Sequence, residues 1–144
     1  MVIAGISEIY ASNNQFNAPE QWEIFSHYLG KISAQKNNVA YGLCYILDNN
    51  KGIEYICGVE VTDTDNLPGT FVHKEVPEHT YVVFIHNGHV SALRKTLDKI
   101  AQNWAPSSGY EKPDGENFFF ERYGEKFDPT TGLGDIEIWI PVKE

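Results

Sequence analysis

Residues 41–61 read YGLCYILDNNKGIEYICGVEV. Tyr41, Leu43, Tyr45 and Leu47 alternate with Gly42, Cys44 and Ile46, and Ile53, Tyr55, Cys57, Val59 and Val61 alternate with Glu54, Ile56, Gly58 and Glu60. A period of two sends successive side chains to opposite faces of a strand. The residues between the runs, Asp48-Asn49-Asn50-Lys51-Gly52, are turn formers, so the stretch predicts a β-hairpin. Hairpins outnumber crossovers in the chain as a whole, which favours an antiparallel sheet over a parallel, Rossmann-like one.

Working outward, the first ten residues predict a strand and Ala11 to Phe16 a polar connection. Asn17 with Glu20 resembles a capping box, and Pro19 is tolerated in a first helical turn. Trp22, Phe25, Leu29 and Ile32 recur at helical spacing and predict one buried helix face, weakened by Gly30 and ended by Lys36-Asn37-Asn38. After a linker from Thr62 to Gly69, strands are expected at Phe71 to Val76 and Tyr81 to His86, with a turn at Pro77-Glu78-His79. A second helix follows Asn87-Gly88-His89, with Ser91 as its N-cap and Leu93, Leu97, Ile100 and Trp104 as its apolar stripe. Pro106 to Gly115 is rich in turn formers. The last strands are Phe118 to Tyr123 and Asp135 to Val142, joined through Asp128-Pro129 and Gly132-Leu133-Gly134. The order of elements repeats. The expectation is an α+β fold of duplicated β-α-β-β units, forming one domain over 1–144: a curved antiparallel sheet with both helices on one face.

Acidic residues outnumber Lys and Arg by 20 to 11, a formal charge of −9. That field repels phosphate backbones and concentrates cations. With no basic stripe, zinc-finger spacing or convincing helix-turn-helix, direct nucleic-acid binding is disfavoured. Acidity also serves plain solubility. The N-terminus lacks a basic n-region and no stretch reaches about 18 apolar residues, so a soluble, cytoplasmic protein away from membranes is expected. Cys44 and Cys57 sit in apolar runs, where thiols are buried and reduced; they make neither a zinc nor a redox pair. Gly132-Leu133-Gly134 lacks the strand-to-helix context of a phosphate cradle, and no cofactor is expected.

On strand Phe118 to Tyr123, alternation groups Phe119, Glu121 and Tyr123 against Phe118, Phe120 and Arg122, and either face is open to a pocket. On the last strand, Ile136, Ile138, Ile140 and Val142 belong beneath the helices, leaving Glu137 and Trp139 on the opposite side, where a pocket is expected. A carboxylate among aromatic rings suits a cation. The competing reading is a salt bridge from Glu121 to a Lys or Arg. His86 and His89, three residues apart without a third ligand, read as structural rather than as a metal pair.

Four stretches taken together, AYGLCYILDNNKGIEYICGVEV, VPEHTYVVFIHNGHVSALRKTL, NFFFERYGEKFDPTTG and EIWIPVK, resemble the gyrase-inhibitor-like effector-binding domains. Such domains are appended to AraC-type and multidrug-responsive regulators and also stand alone; the likeness is greatest to stand-alone, integron-associated members. The resemblance implies a pocket between the halves for aromatic or cationic drug-like molecules, linked to transcriptional regulation or drug resistance. It also implies a buried glutamate on the penultimate strand as the anchor, which here is Glu121. Trp139, Tyr123, Phe119, Tyr41 and Tyr45 are the candidate walls, with Tyr55 of the same kind. Two further functions follow from the likeness: hydrolysis of small electrophiles by Glu121 and a pocket Tyr, and contact with gyrase or a regulator.

Overall fold

The computed structural model describes residues 1–11, 18–47, 52–113 and 117–143. Among them, seven strands form one antiparallel sheet: β1 (Val2–Tyr10), β2 (Gln35–Ile46), β3 (Ile53–Val61), β4 (Val72–Glu75), β5 (Thr80–His86), β6 (Phe118–Tyr123) and β7 (Ile136–Val142), in the order β4-β1-β3-β2-β6-β7-β5. Helix α1 is Ala18–Ser26. Helix α2 (Leu93–Lys99) is entered through a 3-10 turn at Val90–Ala92 and continued by a π-helical stretch, Ile100–Trp104, and a last turn, Ala105–Ser107.

With β4 set aside, the order β1-β3-β2-β6-β7-β5 reads the same from both edges once each unit is written strand, helix, strand, strand. Its midpoint is the β2–β6 pair, which is the seam between the halves. The hairpin of residues 41–61 forms as its alternation predicts, with Gly42 opposite Cys57 and Cys44 opposite Tyr55. Residues directly opposite share a face. On the helix-covered face, Phe25 packs with Cys44, Tyr55, Cys57 and Val59 under α1, and Leu93 and Ile100 pack with Tyr123, Ile136 and Ile138 under α2. Trp22 and Phe119 touch both clusters and so mark the boundary between them.

The other face is concave, and chain connectivity makes it so. β4 and β5 are opposite edges of the sheet, yet only residues 76–79 join them. In a flat sheet six inter-strand steps of about 4.8 Å would hold them roughly 29 Å apart, whereas the connection reaches at most about 18 Å. The sheet therefore curls. The hollow is filled by the protein's own side chains: Phe120 stacks on Trp139 at 5.5 Å, Tyr81 meets both rings, and Lys74 sits 5.1 Å over the Tyr45 ring.

Three expectations need correction. The first helix stops at Ser26, leaving Leu29 at 41% exposure, because the chain turns through Gly30 at φ 79. Ile32 remains in the α1 cluster from outside the helix, and β2 starts at Gln35 with a register shift between Gln35 and Ala40. The 3-10 turn that leads into α2 is capped by His89, whose Nδ1 accepts from the Ser91 amide at 3.0 Å, and α2 itself starts from Ala92 without a side-chain cap; Ser91 is not the N-cap. The Asn17 cap and Asp48 to Lys51 of the hairpin loop lie outside the described residues.

Candidate functional site

Alternation on β6 puts Phe119, Glu121 and Tyr123 together, and the helices cover that side. Opposite Glu121 on β2 is Gly42, and opposite Gly42 on β3 is Cys57. A glycine inside a strand marks a close approach, and here the approach is that of Glu121 and Tyr55. The Tyr55 hydroxyl donates to Glu121 Oε1 at 2.6 Å, and the Tyr123 hydroxyl donates to the same oxygen at 3.0 Å. The Trp22 indole N–H donates to the Tyr55 hydroxyl at 2.9 Å, while its ring meets Tyr123 edge-on at 5.3 Å. Helix α1 is held for this by Gln21, whose amide donates to the Ile6 and Tyr55 carbonyls and whose Oε1 accepts from Tyr10.

Both hydroxyls fall on Oε1. Among the described residues nothing donates to Oε2, yet no fully buried polar atom lacks a partner. Oε2 thus keeps part of the small access that remains to Glu121, which is 6% exposed. Burial raises the Glu121 carboxyl above the ordinary carboxylate range, and the hydrogen bonds from Tyr55 and Tyr123 pull against it. No basic group enters that balance, and the ion pairs among the described residues are Lys36–Glu60, Lys74–Glu54 and Arg122–Glu137. The salt-bridge reading fails at Glu121 and holds instead at Glu137, which also accepts from the Trp139 indole at 3.1 Å. Burial pushes the Cys44 thiol up to about 12 and raises Cys57 as well.

The six sequence candidates are divided. Glu121, Tyr123 and Phe119 meet on the helix face, and Tyr55 joins them. Trp139, Tyr41 and Tyr45 lie on the concave face, in a separate aromatic cluster. The expectation of a pocket on the Trp139 side is therefore corrected: that side is packed, and the carboxylate points the other way. Sequence reasoning missed Trp22 as a site residue, because a Trp on a helical stripe reads as core; its signal was the indole donor that a buried Trp must satisfy. Gly42 in the strand run was the other usable signal.

Beside this group, a cavity of about 490 Å³ opens under the C-terminal part of α2. Its apolar walls come from Leu97, Ile100, Trp104, Phe119, Ile140 and Val142. Phe119 is common to both. His86 does not belong here; it ties Thr96 and the His89 carbonyl together at 2.7 and 2.8 Å, the structural role expected of it. Among the described residues, no three His, Cys, Asp or Glu side chains are grouped to hold a metal.

The chain is similar to known proteins in both sequence and fold. It is 27% identical over 123 residues to the transcriptional regulator BrlR of Pseudomonas aeruginosa, covering 84% of this chain and 44% of that protein. It thus spans less than half the length of the curated relative it matches. The solved structure of SAV2435 bound to tetraphenylphosphonium superposes with a TM-score of 0.69 at 19% identity, over 99% of this chain and 88% of that one. The C-terminal domain of EcmrR does so with a TM-score of 0.67 at 19% identity, over 99% and 90%. Both likenesses concern the fold. The model of the GyrI-like small molecule binding domain matches residues 1–143, and the chain belongs to that family.

Proposed function

We propose that the chain binds aromatic cations in the cleft between its halves, with Glu121 as the counter-charge. The observation that carries this reading is a buried carboxylate with one oxygen held by two tyrosine hydroxyls and, among the described residues, neither a donor to the other oxygen nor a basic side chain paired with it. A buried carboxylate without a cation is costly, and a positive guest removes that cost while the rings of Trp22 and Tyr123 offer faces to it. Membership of a small-molecule-binding family supports the same reading, as does the tetraphenylphosphonium in a protein of the same fold. The likeness to part of BrlR supports a cytoplasmic role in which occupancy of the cleft is passed to a transcription regulator.

Calorimetric titration with tetraphenylphosphonium and with neutral triphenylphosphine oxide tests the reading. Wild type should prefer the cation by about tenfold or more, and Glu121→Gln should remove that preference while leaving the neutral compound within about twofold. Equal affinity of wild type for the two compounds would refute it.

A further inference from the structure

The cavity under α2 and the Glu121 group are neighbours without being one space. Along β6 the cavity wall runs through Asn117, Phe118 and Phe119 and stops there. Glu121 is the next residue on the Phe119 side of the strand, about 6.6 Å further along. Phe119 belongs to both neighbourhoods: its half-buried side chain lines the cavity and packs against both apolar clusters, two residues from Glu121 on the same face of the strand. Its cross-strand partner on β2 is Cys44, a small side chain that leaves the ring as the main filler of the seam.

The two spaces differ in chemistry. The cavity has apolar walls, and its charged lining residues, Asp98, Glu111 and Lys112, are all solvent-exposed, so it offers apolar contact without a buried charge to select against neutral guests. Glu121 offers the opposite: a buried carboxylate, 6% exposed, with both of its hydrogen bonds among the described residues on Oε1. Coulombic attraction weakens with separation, so a cation held beyond the ring feels Glu121 less than one in contact with its carboxylate.

We propose that the cavity under α2 is a second compartment of the ligand site that takes uncharged aromatic groups, and that Phe119 is the specificity-determining partition between it and Glu121. The proposal rests on the cation-binding reading above and adds the element that grades it. With the ring in place, a molecule seated in the cavity meets Glu121 only across Phe119. With the ring removed, the same molecule reaches Oε2 directly.

The test is the ratio of affinities for tetraphenylphosphonium and triphenylphosphine oxide in wild type, Phe119→Ala, Phe119→Trp, Glu121→Gln and the double variant Phe119→Ala/Glu121→Gln. Phe119→Ala should raise the cation preference by about tenfold, Phe119→Trp should lower it, and the double variant should show no rise. Should Phe119→Ala melt too early for titration, Phe119→Leu should raise the ratio by about threefold. Equal weakening of both probes by Phe119→Ala would make the ring an ordinary wall and overturn the partition. So would a rise that persists in the double variant. If Glu121→Gln alone leaves the wild-type ratio unchanged, the cation reading itself falls and takes the partition with it. If Glu121→Gln removes the preference but Phe119→Ala leaves it as in wild type, only the partition falls.

Discussion

Gly42 and Glu121 face each other across β2 and β6, and a Cβ on Gly42 would lie 2.6 Å from Glu121 Oε1. The same Cβ would meet the Tyr55 hydroxyl more closely still. The absence of a side chain at position 42 is what allows the tyrosine and the carboxylate to share a buried hydrogen bond.

Gly42→Ala should therefore displace either Tyr55 or Glu121 and leave a buried polar group short of a partner, at a cost of about 1–3 kcal/mol. Urea denaturation measures this. A change under about 0.5 kcal/mol would mean that the site yields without losing the bond.

Glu121→Gln keeps an acceptor for both hydroxyls and removes a buried charge that no basic group among the described residues neutralises. Without ligand, the variant should melt about 2 °C or more above wild type at pH 7. A lower melting temperature would point to a hidden cationic partner.

The raised carboxyl of Glu121 fixes the sign of two pH effects. Folded protein holds its proton at pH values where the unfolded chain, with an ordinary carboxyl near 4.5, has lost it. Glu121 therefore lowers stability at neutral pH, and this penalty is relieved as pH falls through the folded pKa toward 4.5. Tetraphenylphosphonium affinity should run the other way, weakening in a window that opens above 4.5, and Glu121→Gln should flatten that dependence. A binding curve unchanged down to pH 4.5 would contradict the raised carboxyl.

Cys44 and Cys57 are buried free thiols, both raised by burial and by the neighbouring Glu121. In native protein at pH 8 they should react with a disulfide reagent at least about a hundredfold more slowly than in urea. Rapid labelling of folded protein would show that the seam opens often.

Trp22→Phe keeps the ring contact with Tyr123 and deletes the donor to Tyr55. It should cost about 1 kcal/mol of stability without abolishing the cation preference, since Tyr55 still donates to Oε1. Loss of the preference would make the Trp22 indole N–H part of the recognition itself.

The alternation in residues 41–61, the stripe from Leu93 to Trp104 and the repeated order of elements were enough to give the sheet, its antiparallel sense and the two helices. The grouping of Phe119, Glu121 and Tyr123 was legible for the same reason, because a period of two is a local property of the backbone. The length of the first helix was not, since Trp22, Phe25, Leu29 and Ile32 keep helical spacing whether or not the chain leaves the helix before Gly30. Ile32 is buried under α1 either way.

By itself, the sequence determined which side chains travel together: Phe119 with Glu121, and Ile138 apart from Trp139. Only the tertiary structure decided which of the two faces each group occupies. That choice depends on where α1 and α2 dock and on how residues 76–79 pull the sheet edges toward each other, contacts between residues far apart in the chain. Strand periodicity has no sign. The sign comes from long-range packing, which filled the concave side with Phe120, Trp139 and Tyr81 and left the carboxylate of Glu121 under the helices.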